Sequence, residues 1–149
     1  PARPARQGRP VIVEAEDGTP LWVADEGEGL PLLALPGLTR NGGDFDHLAP
    51  HLPGVRLIRL DSRGRGRSGH ADPATYTVAQ EAADALRVLG ALGLDRVAIL
   101  GTSRGGFVAM MMAHKAPHRL LGACLNDIGP VIEAEGLQAI ALTLGRRPA

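Results

Sequence analysis

Short apolar runs alternate with longer segments of helical period along most of the chain. Val11-Ile12-Val13 opens the series, Asp17-Gly18-Thr19-Pro20 turns, and Leu21-Trp22-Val23-Ala24 returns, which predicts a β-hairpin. A second turn at Glu26-Gly27-Glu28-Gly29 leads into Leu32-Leu33-Ala34-Leu35, the unbroken apolar run of a buried strand. Phe45, Leu48, Ala49 and Leu52 recur at helical spacing and predict a helix stopped by Pro53-Gly54. Val55, Leu57, Ile58 and Leu60 predict the next strand.

Thr77-Val78-Ala79-Gln80 fits a capping box, in which the threonine accepts from an early amide and the glutamine reaches back. Val78, Ala82, Leu86 and Leu89 then line one face of a helix ending near Gly93. Val97 to Leu100 reads as a strand. Phe107 to His114 reads as a helix whose Met110-Met111-Met112 suits burial on more than one side. Leu120 to Leu125 predicts a further strand, within which Cys124 packs as a small buried hydrophobe. Leu137, Ile140, Ala141 and Leu144 mark a last short amphipathic helix. Strands alternating with helices after an opening hairpin predict an α/β three-layer fold, parallel beyond its first strands. Residues Pro1 to Pro10 have no periodicity and read as a flexible arm.

Composition changes little in this picture. The 149 residues suffice for one domain with a proper core, and 44% hydrophobic with 21% charged residues is ordinary for a globular protein. A net charge of zero gives no global sign of nucleic acid or an anionic membrane as partner, and the clusters Arg3, Arg6, Arg9 and Arg146, Arg147 read as solvated termini. One cysteine excludes an internal disulfide, and no cysteine–histidine spacing suggests zinc. No run reaches membrane-spanning length, and the Arg- and Pro-rich start lacks the apolar core of a signal peptide, so a cytoplasmic protein is expected. The chain starts Pro1-Ala2-Arg3, so its original start is expected to have been removed or to lie upstream.

The chemistry concentrates at Gly101-Thr102-Ser103-Arg104-Gly105-Gly106, a Gly-x-Ser-x-Gly run between a strand and a helix. That order suits a nucleophile elbow, a tight turn lifting a serine hydroxyl clear of the sheet edge. Ser103 is the candidate nucleophile. It needs a base, a group to orient that base, and two backbone amides for the developing oxyanion. The Arg104 amide is one; the Leu38 amide, freed by Gly37 in the loop Leu35 to Arg40, is the other.

Pro36-Gly37-Leu38, Asp61-Ser62-Arg63-Gly64-Arg65-Gly66-Arg67-Ser68 and the Gly101 to Gly106 block stand in the order and spacing of the α/β-hydrolase superfamily. The chain resembles that superfamily from Val11 to its end, and Leu125 to Pro130 resembles some esterase-like members. The resemblance implies an α/β-hydrolase-type sheet, mostly parallel after an N-terminal hairpin. It also implies an acyl substrate and no metal or organic cofactor. Serine rather than aspartate at 103 points to the branch of esterases, lactonases, carbon–carbon hydrolases, cofactor-free haloperoxidases and acyltransferases. Pro36 stands where many members carry histidine, a loop support rather than a catalytic group.

Gly64-Arg65-Gly66-Arg67-Ser68-Gly69 also fits a dinucleotide fingerprint, but His70-Ala71-Asp72-Pro73 is loop chemistry where a helix must open. Asp61 and Arg63 are instead expected to pin a glycine-rich turn. Arg104, with Arg40 as helper, can attract a substrate carboxylate; alternatively Arg104 points aside and pairs with a structural acid such as Asp44 or Asp61.

The superfamily order is serine, acid, histidine, with the histidine after the last strand. Of His47, His51, His70, His114 and His118, only His70 lies in a loop near the right sheet edge, and all five read as structural or surface residues. Asp127 is a candidate acid, or else a turn residue before Gly129-Pro130. The expectation is therefore the N-terminal part of a longer hydrolase, truncated before the last strands, with residues 11–130 in the core and 131–149 beginning a cap or lid. An unpaired edge at Leu120 to Leu125 would favour association. The main reading is a serine hydrolase of esterase or lactonase type, inactive as this fragment alone. The alternatives are a non-catalytic binding or oligomer subunit, and an acyltransferase, carbon–carbon hydrolase or haloperoxidase.

Overall fold

The computed structural model describes residues 10–129 and 131–143. Of the expected arm, only Pro10 falls within them, and it already belongs to the first strand. Six strands form one sheet: β1 (Pro10–Glu14), β2 (Pro20–Glu26), β3 (Leu30–Leu35), β4 (Val55–Leu60), β5 (Val97–Thr102) and β6 (Leu120–Asn126). Their order is β1-β2-β4-β3-β5-β6. The hairpin sets Val11 opposite Val23, and β2 also runs antiparallel to β4. From β4 onward all pairings are parallel, with β3 between β4 and β5. This is the sheet, mostly parallel after an N-terminal hairpin, that the resemblance implies.

Helices α1 (Val78–Ala91) and α2 (Arg104–Lys115) cover one face. Ala82, Ala85, Val88 and Leu89 of α1 meet Val108, Ala109 and Met112 of α2 over Leu21, Leu33, Ile58 and Ile99. Leu89, with no exposed surface, contributes about 1.5–3 kcal/mol by leaving water. Met112 is buried while Met110 and Met111 are only half-buried, so α2 is enclosed less completely than its triple methionine implies. Thr77 caps α1 by accepting from the Gln80 amide at 3.1 Å. The Gln80 side chain does not reach back; it donates to Asp84 one turn on.

The opposite face carries a smaller cluster of Ala34, Phe45 and Leu57. The helix expected over Phe45 to Leu52 is replaced by two 3₁₀ turns, Gly42–Phe45 and Ala49–His51. Pro50 explains the difference, because it lacks an amide donor and its ring collides with the carbonyl four residues back in an α-helix. His47 and His51 therefore lie on a turn and a 3₁₀ segment, not on a helix.

Cys124 is exposed, contrary to its expected burial. It sits on β6, an edge strand whose middle residues Leu121 to Cys124 are all exposed. The last helix, α3 (Ala134–Thr143), is present with Leu137 and Leu142 exposed; Leu144 lies outside the described residues. Among the described residues no helix is long and apolar enough to cross a membrane.

Candidate active site

Strand β5 ends at Thr102, α2 begins at Arg104, and Ser103 makes the whole connection at φ 51°, ψ −116°. L-residues seldom adopt that conformation, which stores strain of about 1–3 kcal/mol. The surrounding glycines make it possible. A Cβ on Gly101 would lie 2.6 Å from the Gly105 carbonyl oxygen and 2.7 Å from the Gly106 Cα. One on Gly105 would strike the Leu35 carbonyl group and come within 2.9 Å of the Pro36 oxygen. Strand β6 locks the turn from the other side. The Ser103 amide donates to the Asn126 carbonyl at 2.9 Å, and Ile128 lies where a Cβ on Gly106 would go.

The loop after β3 meets the serine at Gly37, where a Cβ would lie 3.8 Å from the Ser103 Cβ and 3.6 Å from the Arg40 Cγ. Neither the Leu38 amide nor the Arg104 amide donates to another described residue. The Arg40 amide closes this loop onto the Gly37 carbonyl at 3.2 Å. Its guanidinium Nε donates to Asp44 at 2.8 Å, and that carboxylate holds the arginine above its ordinary pKa.

Asp61 and Arg63 build the adjoining glycine-rich turn. Asp61 is buried and accepts from the Gly42 amide at 2.7 Å and the Arg67 amide at 2.8 Å, tying this turn to the Arg40 loop. Gly66, at φ +54°, leaves room for that carboxylate. Ser68 receives the Trp22 amide at 2.8 Å and donates to the Asp61 carbonyl. Arg63 has no exposed surface; it donates to both Asp84 oxygens at 2.7 and 2.8 Å and to Asp17 and Thr75 at 2.8 and 2.9 Å. Asp84 is the main cause that raises the Arg63 pKa beyond the usual arginine range, while the Arg63 bond is the main one that lowers Asp17 far below the carboxylate range. After Gly69 the chain forms a 3₁₀ turn, Pro73–Thr75, and α1 starts only at Val78. No helix N-terminus therefore faces the glycine run, and the dinucleotide reading lacks its structural context.

The Arg104 guanidinium turns away from the site, as in the structural alternative, but toward neither Asp44 nor Asp61. It donates to Glu81 of α1 at 3.0 Å and to the Tyr76 carbonyl at 2.9 Å. Arg65 shares the same carboxylate at 2.7 Å. Asp44 pairs with Arg40, and the Asp61 oxygens serve backbone amides, so neither expected partner was free. Glu81 escaped notice although its spacing marks it. Standing three residues after Val78 and four before Ala85, it lies on the apolar stripe, where a buried acid requires a partner.

Asp127 follows β6 in a left-handed turn at φ 56° and is exposed. That conformation is one aspartate tolerates. His70 is exposed in the loop after the glycine run, and His114 lies in the last turn of α2. Among the described residues the Ser103 hydroxyl has no hydrogen-bond partner, no histidine joins it, and no metal-ligand cluster occurs. A separate cleft of about 620 Å³ runs along β2 and β4 between Trp22, Glu26, Arg59 and Arg67, and Ser103 is not part of its lining.

The model of the alpha/beta hydrolase fold family matches residues 31–142. The chain is 39% identical over 118 residues to the 3-hydroxybutyrate-oligomer hydrolase of Cupriavidus necator, covering 76% of this chain and 40% of that protein. It is 35% identical over 125 residues to a non-heme haloperoxidase of Rhodococcus erythropolis, covering 80% and 44%. Among solved structures, an alpha/beta hydrolase from Novosphingobium aromaticivorans is similar with a TM-score of 0.87 at 37% identity, over 94% of this chain and 51% of that one. Est816, described as an N-acyl homoserine lactone degrading enzyme, has a TM-score of 0.71 at 35% identity over 77% and 44%. The chain thus spans about 40% of the length of the two curated relatives. The family match runs from β3 through the Ser103 turn into α3, and the chain belongs to the α/β-hydrolase family.

Proposed function

We propose that this chain supplies the nucleophile and the oxyanion-binding amides of a serine hydrolase acting on esters or lactones. In this reading the Ser103 oxygen attacks an acyl carbonyl while its proton passes to a base. The tetrahedral oxyanion is held by the Leu38 and Arg104 amides. Collapse breaks the bond to the leaving oxygen, which takes up the proton and departs as an alcohol. Water, giving its proton to the base, then attacks the acyl-serine, and a second collapse releases the carboxylic acid while the serine oxygen takes the proton back. Asp127 is the acid we assign to orient the base, which we take to be a histidine from outside these 149 residues.

The observation carrying this reading is the strained Ser103 backbone at the turn between β5 and α2, with the Gly37 turn beside it. The names of the relatives support an acyl substrate, since an oligomer of a hydroxy acid and a lactone are both carboxylic esters. The test uses the protein at its full natural length with a fluorophosphonate probe and mass spectrometry of the labelled peptide. Labelling should fall on Ser103 and vanish in Ser103→Ala. A full-length protein that stays unlabelled would leave the non-catalytic reading standing instead, and labelling at another serine would remove Ser103 as the nucleophile.

A further inference from the structure

We propose that Arg40 is an anion receptor for this site, so that its preferred substrates carry a carboxylate close to the carbonyl attacked by Ser103. The inference rests on the serine-hydrolase reading above and narrows its substrate class. Arg40 and Ser103 approach one another across bare backbone. The position of a Cβ on Gly37 is 3.6 Å from the Arg40 Cγ and 3.8 Å from the Ser103 Cβ, and no side chain occupies it.

The guanidinium is oriented but not used up. Its Nε donates to Asp44 at 2.8 Å, which engages one edge of the planar fork and sets its tilt. Asp44 is itself held, since its amide donates to the Asn41 carbonyl at 3.1 Å. Among the described residues Nη1 and Nη2 have no partner, and 64% of the Arg40 side chain is exposed. The end-on edge of the fork, two parallel N–H groups, is therefore open to a carboxylate in the bidentate geometry that arginine favours. Arg104, the cation directly after the serine, is committed to Glu81. The Arg40–Asp44 pair is neutral as a unit. Selectivity therefore comes from the directed N–H groups rather than from net charge, and a neutral acyl chain forfeits it.

The test compares two p-nitrophenyl esters of matched length, the neutral butanoate and the hemisuccinate with its terminal carboxylate. The full-length protein, Arg40→Gln, Arg40→Lys and Ser103→Ala are assayed, and the quantity read is the quotient of kcat/KM for anionic over neutral ester. This quotient is independent of the fraction of active protein. Arg40→Gln should lower it about tenfold or more, the scale of a hydrogen bond to a charged group, with Arg40→Lys intermediate. A quotient within about twofold of wild type in Arg40→Gln overturns the assignment. If Ser103→Ala abolishes both activities while that quotient stays put, only the Arg40 role fails. If Ser103→Ala keeps its turnover, or the wild type hydrolyses neither ester, the serine-hydrolase reading fails and takes the Arg40 role with it.

Discussion

Replacing Arg63 by methionine isolates what the glycine-rich turn rests on. The guanidinium is fully buried and grips both oxygens of Asp84, whose side chain is only 4% exposed. Methionine retains much of the stem and removes the charge, which strands the Asp84 carboxylate in a low-dielectric site. Losing one partner of such a pair costs about 3–5 kcal/mol. Asp17, 42% exposed, returns to water and adds little. Domains hold only about 5–15 kcal/mol in total, so the variant should fold but sit near its limit. At a urea dependence of about 1–3 kcal/mol per molar, the unfolding midpoint should drop by roughly 1–5 M. The double variant Arg63→Met/Asp84→Leu removes the stranded charge too, and should regain most of the loss. Equilibrium urea denaturation followed by circular dichroism reads both. A single variant within about 0.5 kcal/mol of wild type, the scale of a surface change, would refute the reasoning. So would a double variant no more stable than the single.

Two further outcomes follow from the same geometry. Gly105→Ala places a methyl 2.6 Å from the Leu35 carbonyl carbon and 2.9 Å from the Pro36 oxygen, backbone atoms that cannot rotate aside. It should destabilise the fold by about 1–3 kcal/mol and slow fluorophosphonate labelling of Ser103; an unchanged melting temperature and labelling rate would show that the contact is not there. Asp17 titrates below its ordinary value of 3.8 because it accepts from Arg63, so its stabilisation is complete above that value and fades as pH falls toward the lowered one. The difference in urea midpoint between wild type and Asp17→Asn should therefore be widest near neutral pH and shrink below about pH 4, whereas a constant difference would exonerate the carboxylate.

The strands were legible because a buried strand needs an apolar run and little else. Leu32 to Leu35 and Val97 to Leu100 were both recognisable on that ground, as was the hairpin from Asp17-Gly18. Helical spacing misled between Phe45 and Leu52, where four apolar residues happened to recur at the right interval around Pro50. Pattern records which residues seek cover, not whether the backbone can close its hydrogen bonds. Cys124 is exposed among the described residues because β6 is the edge of the six strands they form, an order that the apolar run does not contain. At the site, the Gly37 and Ser103 blocks pointed to two turns that meet, and the Asp61 block to a third tied to the Gly37 loop through Gly42. The partner of Arg104 stayed hidden because Glu81 is 23 residues away in sequence and joins it only after α1 and α2 pack.

The backbone of Ser103 also bears on how this position changes over generations. A residue without a side chain would sit there without strain, so pressure on folding alone drives position 103 toward glycine, by an amount of about 1–3 kcal/mol. Against a total of only about 5–15 kcal/mol, that is a steady bias rather than a neutral choice. A serine that persists under such a bias is retained by something the folding equilibrium does not measure.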